Sequence, residues 1–224
     1  MVGMTLNNTD LPDILNTWGG DVNPAIFVFA HQDDETLTFG SEIEYHKAAG
    51  RYVIGVLGTD GRSSAVKAST GLNNEEFVRA RNLELVNAAT TLQMDEVHFS
   101  GGKDGSLTQN QADAIATFWY QRYPTASFKV PSDQDSHPDH KALGVSFRKI
   151  KAQVPTADIR FYVKPEQWPA FSGLRCTAGG PTALAAMEAY KLIDIPNGHY
   201  GIGYKSDPNA FDLLSANLQS CWHF

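Results

Sequence analysis

Short apolar runs, polar loops and longer amphipathic stretches recur along the chain. Ala25 to Ala30 (A-I-F-V-F-A) is continuously apolar, which suits a strand covered on both faces. A helix is predicted over 35–50, stopped by Gly50, then a strand over 51–57 that ends in Gly58-Thr59-Asp60-Gly61. A polar loop reaches Asn74. Residues 75–92 follow with helical spacing and place Phe77, Ala80, Leu83, Val86 and Leu92 on the inward face. A brief strand at 96–99 leads into Gly101-Gly102-Lys103-Asp104-Gly105, followed by a helix at 108–123 and a strand at 127–130. Pro138 is placed as the first residue of a helix that runs to Gln153, and 159–163 reads as a further strand. Beyond it the pattern is less regular, with helices predicted near 181–192 and 208–220. Strands alternating with helices predict one α/β domain with a mostly parallel sheet and helices on both faces. It spans residues 1–224, of which 1–24 form an N-terminal extension.

Composition narrows the function classes. Apolar residues make up 42% and charged residues 19% of 224 positions, which excludes a disordered tail or a coiled coil. The net charge is −7. The one dense basic stretch, Arg148, Lys149 and Lys151, reads as a solvated helix face, so no nucleic-acid partner is expected. No apolar run approaches the roughly 18 residues of a membrane span. No basic n-region precedes an apolar stretch, so no signal peptide is visible and a cytoplasmic location is expected over a secreted one. Cys176 and Cys221 match no metal spacing and read either as free thiols or as one disulfide.

The chemistry concentrates in Ala30-His31-Gln32-Asp33-Asp34-Glu35, directly after the first buried strand. Ligands of open α/β sheets bind beyond the carboxyl ends of the strands. Charged side chains leaving a hydrophobic strand are costly unless a ligand or a metal compensates them. His31 and Asp34 can reach one cation from a single turn, and His137-Pro138-Asp139-His140 supplies a remote ligand on the same rim. Two near ligands plus a remote one suit catalytic zinc, which keeps a fourth position open. The spare histidine is then free to act as acid or base.

A-H-x-D-D-E followed much later by H-P-D-H resembles the PIG-L/LmbE-like family of zinc-dependent N-deacetylases. The resemblance runs on through Thr59-Asp60-Gly61, Arg81-x-x-Glu84 and Asp104-Gly105, from Ala25 to Val163. It implies a Rossmann-like fold, one Zn²⁺ per chain (or another divalent ion), and removal of acetyl groups from N-acetylated amino sugars or glycoconjugates of the N-acetylglucosamine type. Carried over by position, His31, Asp34 and His140 would be metal ligands and Asp33 the general base. His137, as imidazolium, would protonate the leaving amine, with Asp139 tuning and orienting it. Arg81 and Asp104 would contact sugar hydroxyls. Gln32 stands where the family usually has proline, which would loosen the loop or add a contact to substrate. Ser41 stands where a second glycine is common.

Plainer readings exist for each residue. Asp33 and His137 are also able to serve as helix caps, Arg81 to pair with Glu84 on a helix surface, and Asp104 to form a turn. Tyr162 and Tyr200, with Trp168 and His199, are candidates to line a sugar cleft, although aromatic residues more often fill cores. Two rival functions are another metal-dependent hydrolase, such as a phosphoesterase, and a carbohydrate-binding relative without turnover. The absence of G-x-G-x-x-G disfavours a nicotinamide enzyme.

Overall fold

The computed structural model describes residues 23–224, so residues 1–22 of the expected extension lie outside the described residues. The alternating part runs β1 (Ala25–Phe29), α1 (Asp34–Leu37), α2 (Gly40–Ala48), β2 (Val53–Thr59), α3 (Lys67–Thr70), α4 (Asn74–Thr91), β3 (Glu96–Gly102), α5 (Gln109–Arg122), β4 (Ser127–Pro131), α6 (Pro138–Gln153) and β5 (Ile159–Val163). A 3₁₀ turn at Pro165–Ala170 opens the C-terminal segment. It continues with β6 (Arg175–Ala178), α7 (Pro181–Ala189), the short strands β7 (Ile193–Asp194) and β8 (His199–Tyr200), α8 (Ile202–Ser206), α9 (Pro208–Ala216) and β9 (Gln219–His223).

Seven strands form one sheet in the order β3-β2-β1-β4-β5-β9-β6. β1 to β5 are parallel, and β9 pairs antiparallel with both β5 and β6. Every side chain of β1 is buried, and alternate residues serve opposite cores. Ala25, Phe27 and Phe29 pack with residues of α2, α4, α7 and α9, while Ile26, Val28 and Ala30 pack with residues of α5 and α6. A continuous apolar run is therefore the signature of this central strand. Because β2 lies on one side of β1 and β4 on the other, the chain reverses its winding between β1 and β4. A crevice opens there at the strands' carboxyl ends.

Local signals fix most boundaries. Asn73 and Glu76 form a capping box at the start of α4, and Thr108 and Gln111 form one at the start of α5. Pro138 is the first residue of α6. A Cβ at Gly144 would lie 2.5–2.6 Å from the backbone of Pro131, Ser132 and Asp133. Glycine there lets α6 press directly on the loop after β4.

Three expectations need correcting. The helix expected over 35–50 is two helices, because the chain turns at Thr38 and Phe39 to bury the Phe39 ring against Phe27 and Tyr162. The inward face of α4 is rotated: Leu83 and Val86 are only half-buried, while Arg81, Glu84 and Leu85 are buried. The expected helix over 208–220 stops at Ala216, and β9 follows it. Cys221 of β9 faces Cys176 of β6, and the two form a disulfide. No helix among the described residues is long and apolar enough to cross a membrane.

Lys129 is fully buried in β4, its ammonium held by Ser127 and 5.8 Å from the Phe27 ring centroid. Burial pushes its pKa down to about 7. The unfolded chain keeps that proton up to the ordinary value of 10.5. Between these limits the unfolded state binds more protons, so this residue makes stability rise with pH. Lys129→Met is expected to raise stability near neutrality by about 1–4 kcal/mol and to lose that increment as the pH approaches 10.5. Urea unfolding of both proteins at several pH values checks this, and identical pH slopes would contradict it.

Candidate active site

The loops after β1 and β4 meet across the crevice. His31 Nδ1 is 3.0 Å from His140 Nε2, and His140 Nε2 is 3.1 Å from Asp34 Oδ2. The third side, His31 Nδ1 to Asp34 Oδ2, measures 3.6 Å. Zinc bonds of about 2.0–2.1 Å in a tetrahedron hold ligand atoms about 3.3–3.4 Å apart. The triangle therefore has the size and the donor chemistry to hold such an ion.

Each corner is backed by an outer partner, as in protein metal centres. His31 Nε2 lies 3.0 Å from Asp104 Oδ1 and 3.3 Å from Asp139 Oδ2. His140 Nδ1 lies 3.2 Å from Asp135 Oδ2. Lys164 Nζ is 3.7 Å from Asp34 Oδ1, an oxygen that accepts no hydrogen bond. The wider surroundings hold two overlapping groupings with ligand atoms within 4.8 Å of one another: His31, His137 and His140, and His31, Asp104 and Asp139. Burial disfavours the charged forms of His31 and His140, yet the facing carboxylates outweigh it and raise both pKa values. Burial also pushes Asp34 up, but His140 and His31 overcome it and hold the carboxyl well below the usual range.

Asp33 is separated from its neighbour by the backbone. Its φ is 116°, a left-handed value that costs a non-glycine residue about 1–3 kcal/mol. The turn folds Asp34 back so that Oδ2 accepts the His31 N–H at 2.8 Å. Asp33 faces Arg81 instead, whose Nη2 donates to Asp33 Oδ2 at 3.0 Å and to the Gln32 carbonyl at 2.6 Å. Arg81 Nη1 donates to the Gly61 carbonyl at 2.9 Å. Burial lifts the Asp33 pKa to about 6, with the Arg81 charge opposing.

Glu35 accepts the Asp33 N–H at 3.1 Å and the hydroxyls of Thr36 and Tyr190 at 2.7 Å each. Burial pushes the Glu35 pKa up to about 8.

The expected site residues are thus drawn together unevenly. His31, Asp33, Asp34, His137, Asp139 and His140 all converge. The Asp139 side chain, however, contacts His31 and the N–H groups of Gly105 and Leu107. It does not orient His137. The Asp139 N–H donates to His137 Nδ1 at 3.3 Å, making His137 the helix cap of α6 and placing its ring proton on Nε2. Arg81 is 3% exposed with its terminal nitrogens committed to Asp33 and two carbonyls, so it neither meets a sugar nor pairs with Glu84. Glu84 instead accepts the N–H groups of Ile202 and Gly203. Asp104 holds His31 and the Ser63 N–H. Tyr162 lies wholly in the core against Phe39 and Trp222 and does not line a cleft. Tyr200 is half-buried beside Phe77, Ala80 and Ile202. Gln32 is buried and donates to the Asp60 carbonyl and to Asn82; it ties the loop down rather than loosening it.

Sequence reasoning passed over Asp135, Lys164 and Tyr190, and gave Glu35 no role although it belongs to the motif after β1. Asp135 sits in the polar run after β4, and Lys164 directly follows β5. Both therefore occupy the sheet rim that carries the other site residues.

The family model described as PIG-L, GlcNAc-PI de-N-acetylase, matches residues 26–151, a stretch that contains the whole triangle. No curated protein sequence matches the chain. Several solved structures share its fold. An N,N′-diacetylchitobiose deacetylase from Pyrococcus horikoshii is 16% identical, covering 85% of this chain and 76% of that one, with a TM-score of 0.63. The zinc-inhibited form of the teicoplanin deacetylase Orf2 is 14% identical, covering 89% and 97%, with a TM-score of 0.66. GalB, the 4-carboxy-2-hydroxymuconate hydratase from Pseudomonas putida KT2440, is 17% identical, covering 87% and 83%, with a TM-score of 0.61. At such identities the likeness is one of fold, and different chemistries share it. The match over residues 26–151 covers more than half of the 224 residues, and on it the chain belongs to the PIG-L family.

Proposed function

We propose that the protein is a metal-dependent hydrolase that removes the acetyl group from an N-acetylated amino sugar or glycoconjugate, releasing acetate and a free amine. Family membership supports the reaction class. The observation that carries the reading in this chain is the His31–Asp34–His140 triangle with the carboxylate of Asp33 beside it. A zinc-type ion held by those three residues would make a nucleophile from water near neutral pH and polarise the acetyl carbonyl.

The protein groups then divide the remaining work. Asp33 takes the proton that water loses and later gives it up. That proton is the one the departing amine requires. Arg81 keeps the Asp33 carboxylate on one rotamer by holding both it and the Gln32 carbonyl. His137 Nε2 has no hydrogen-bond partner among the described residues, so its N–H is available to the oxygen that gains charge. Burial lowers the His137 pKa, and a cation held by the triangle acts in the same direction. His137 is therefore a neutral donor rather than a standing imidazolium. Tyr200, half-buried in the C-terminal segment, remains the aromatic candidate for the sugar face.

A two-metal phosphoesterase needs carboxylates that bridge two ions. Asp104 and Asp139 are instead occupied by backbone N–H groups and His31, which favours a single metal. For the compartment, the Cys176–Cys221 disulfide favours an oxidising environment over the cytoplasm.

Purified protein is expected to bind about one zinc-type ion per chain and to release acetate, not phosphate, in a screen of N-acetylglucosamine, chito-oligosaccharides and glycoconjugates. Phosphate release in place of acetate would overturn the proposal. Asp33→Asn should retain metal but lose turnover by about 10²–10⁴-fold. Asp34→Asn should lose metal first and recover part of its activity in excess zinc. Zinc content and zinc-titrated turnover measured side by side decide this, and the opposite pattern reverses the two roles. Asp135→Asn should weaken zinc binding about 10–100-fold, read by competition with a chelator. Unchanged affinity would remove Asp135 from the metal's support.

A further inference from the structure

The left-handed backbone of Asp33 is held by a relay of hydrogen bonds whose outer end lies far away in the chain. Its N–H donates to Glu35 Oε2 at 3.1 Å. Glu35 Oε1 is held by two hydroxyls, Thr36 Oγ1 at 2.7 Å and Tyr190 at 2.7 Å. Thr36 belongs to the same turn and moves with it. Tyr190 caps the C-terminal end of α7, 155 positions along the chain. It is the outside point to which the turn's carboxylate is tied. Glu35 and Tyr190 both have zero exposure, so no water replaces a donor that is lost. The Tyr190 ring is itself clamped: its centroid is 5.7 Å from that of Phe211, and a Cβ at Gly203 would lie 2.3 Å from its Cδ1. The first turn of α8 thus closes against the ring.

The geometry points to Tyr190 as a positioning residue for Asp33, acting through Glu35. The inference rests on Asp33 being the base of the proposed reaction. Without the Tyr190 hydroxyl, Glu35 keeps only donors on its own turn, the Thr36 hydroxyl and the Asp33 N–H, and its carboxyl group is free to swing. The Asp33 N–H then loses its acceptor and Asp33 relaxes about its place, while Asp34 stays anchored by the His31 N–H, the His31 ring and His140. That relaxation carries the Asp33 carboxylate away from Arg81 and from the water it must deprotonate. The three corners of the triangle do not contact Tyr190, so metal binding stays as it was.

Tyr190→Phe tests this, because it keeps the ring and deletes only the hydroxyl. The Asp33 amide, followed by hydrogen exchange in the NMR spectrum, should exchange about tenfold faster or more. Turnover of N,N′-diacetylchitobiose should fall about tenfold in kcat, with KM within about twofold and zinc content unchanged. Adding Tyr190→Phe to Glu35→Ala should cost nothing further, since both substitutions cut the same path. Unchanged exchange at Asp33 overturns the inference, as does wild-type kcat despite faster exchange. A lower Tm with neither effect also overturns it and makes the hydroxyl purely structural. Should the wild-type protein release no acetate from this sugar, the deacetylase reading fails for that substrate. The exchange measurement still decides whether Tyr190 holds Asp33.

Discussion

Six carboxylates, those of Asp33, Asp34, Glu35, Asp104, Asp135 and Asp139, are buried at the carboxyl edge of one sheet. A buried charge left without a partner costs several kcal/mol, and the crevice is arranged around meeting that cost. Each group is answered differently. Glu35 is pushed towards its neutral form, and Asp33 has Arg81. Asp34 has two histidines and Lys164. Asp104 and Asp139 share His31 and take backbone N–H groups from the loops after β2 and β3. Asp135 holds His140, the His137 N–H and Gln167. The loops that follow β1 to β5 are each fixed by one of these contacts. Charge compensation therefore shapes the rim, while apolar packing shapes the sheet beneath it.

That division explains what was legible in the sequence. β1 is a continuous apolar run because burial on both faces leaves no polar position inside it, and β4 and β5 lie within a residue of their expected limits although each carries a basic residue, Lys129 and Arg160. α6 begins at Pro138 and ends at Gln153 as its spacing requires. The C-terminal segment resisted reading for a physical reason. β9 is only five residues long, sits between β5 and β6, and owes its place to pairing and a disulfide with residues far away in the chain. No local periodicity announces such a strand.

The site was legible in its residue types and less so in their roles. By the family resemblance Asp139 would orient His137, yet its carboxylate crosses the crevice to His31. Tyr162, an aromatic residue near the rim, turns inward because its neighbours in β5 alternate and its position faces the core. Arg81 appears on a helix whose polar residues should face solvent, but α4 is rotated so that Arg81 reaches Asp33 and Glu84 reaches the N-terminus of α8. In each case the residue's neighbours in space, not in sequence, decide which hydrogen bond it makes.

The two consecutive aspartates show why this matters for chemistry. Adjacent carboxylates on an ordinary turn would share an environment and compete for one ion. Here a left-handed residue between His31 and Asp34 sends one carboxylate to the two histidines and the other to an arginine. The conformation is costly in itself and persists only where several contacts over-determine it. Those contacts arrive from separate parts of the chain: Arg81 from α4, the Gly61 carbonyl from the loop after β2, and Tyr190, by way of Glu35, from the end of α7. Tyr190 and Lys164 both lie beyond residues 26–151, the stretch that carries the family likeness. The His31–Asp34–His140 triangle belongs to that stretch, whereas the surroundings of Asp33 and Asp34 are completed by this chain's own C-terminal segment. Substitutions there can therefore alter the geometry of the site without touching any corner of the triangle.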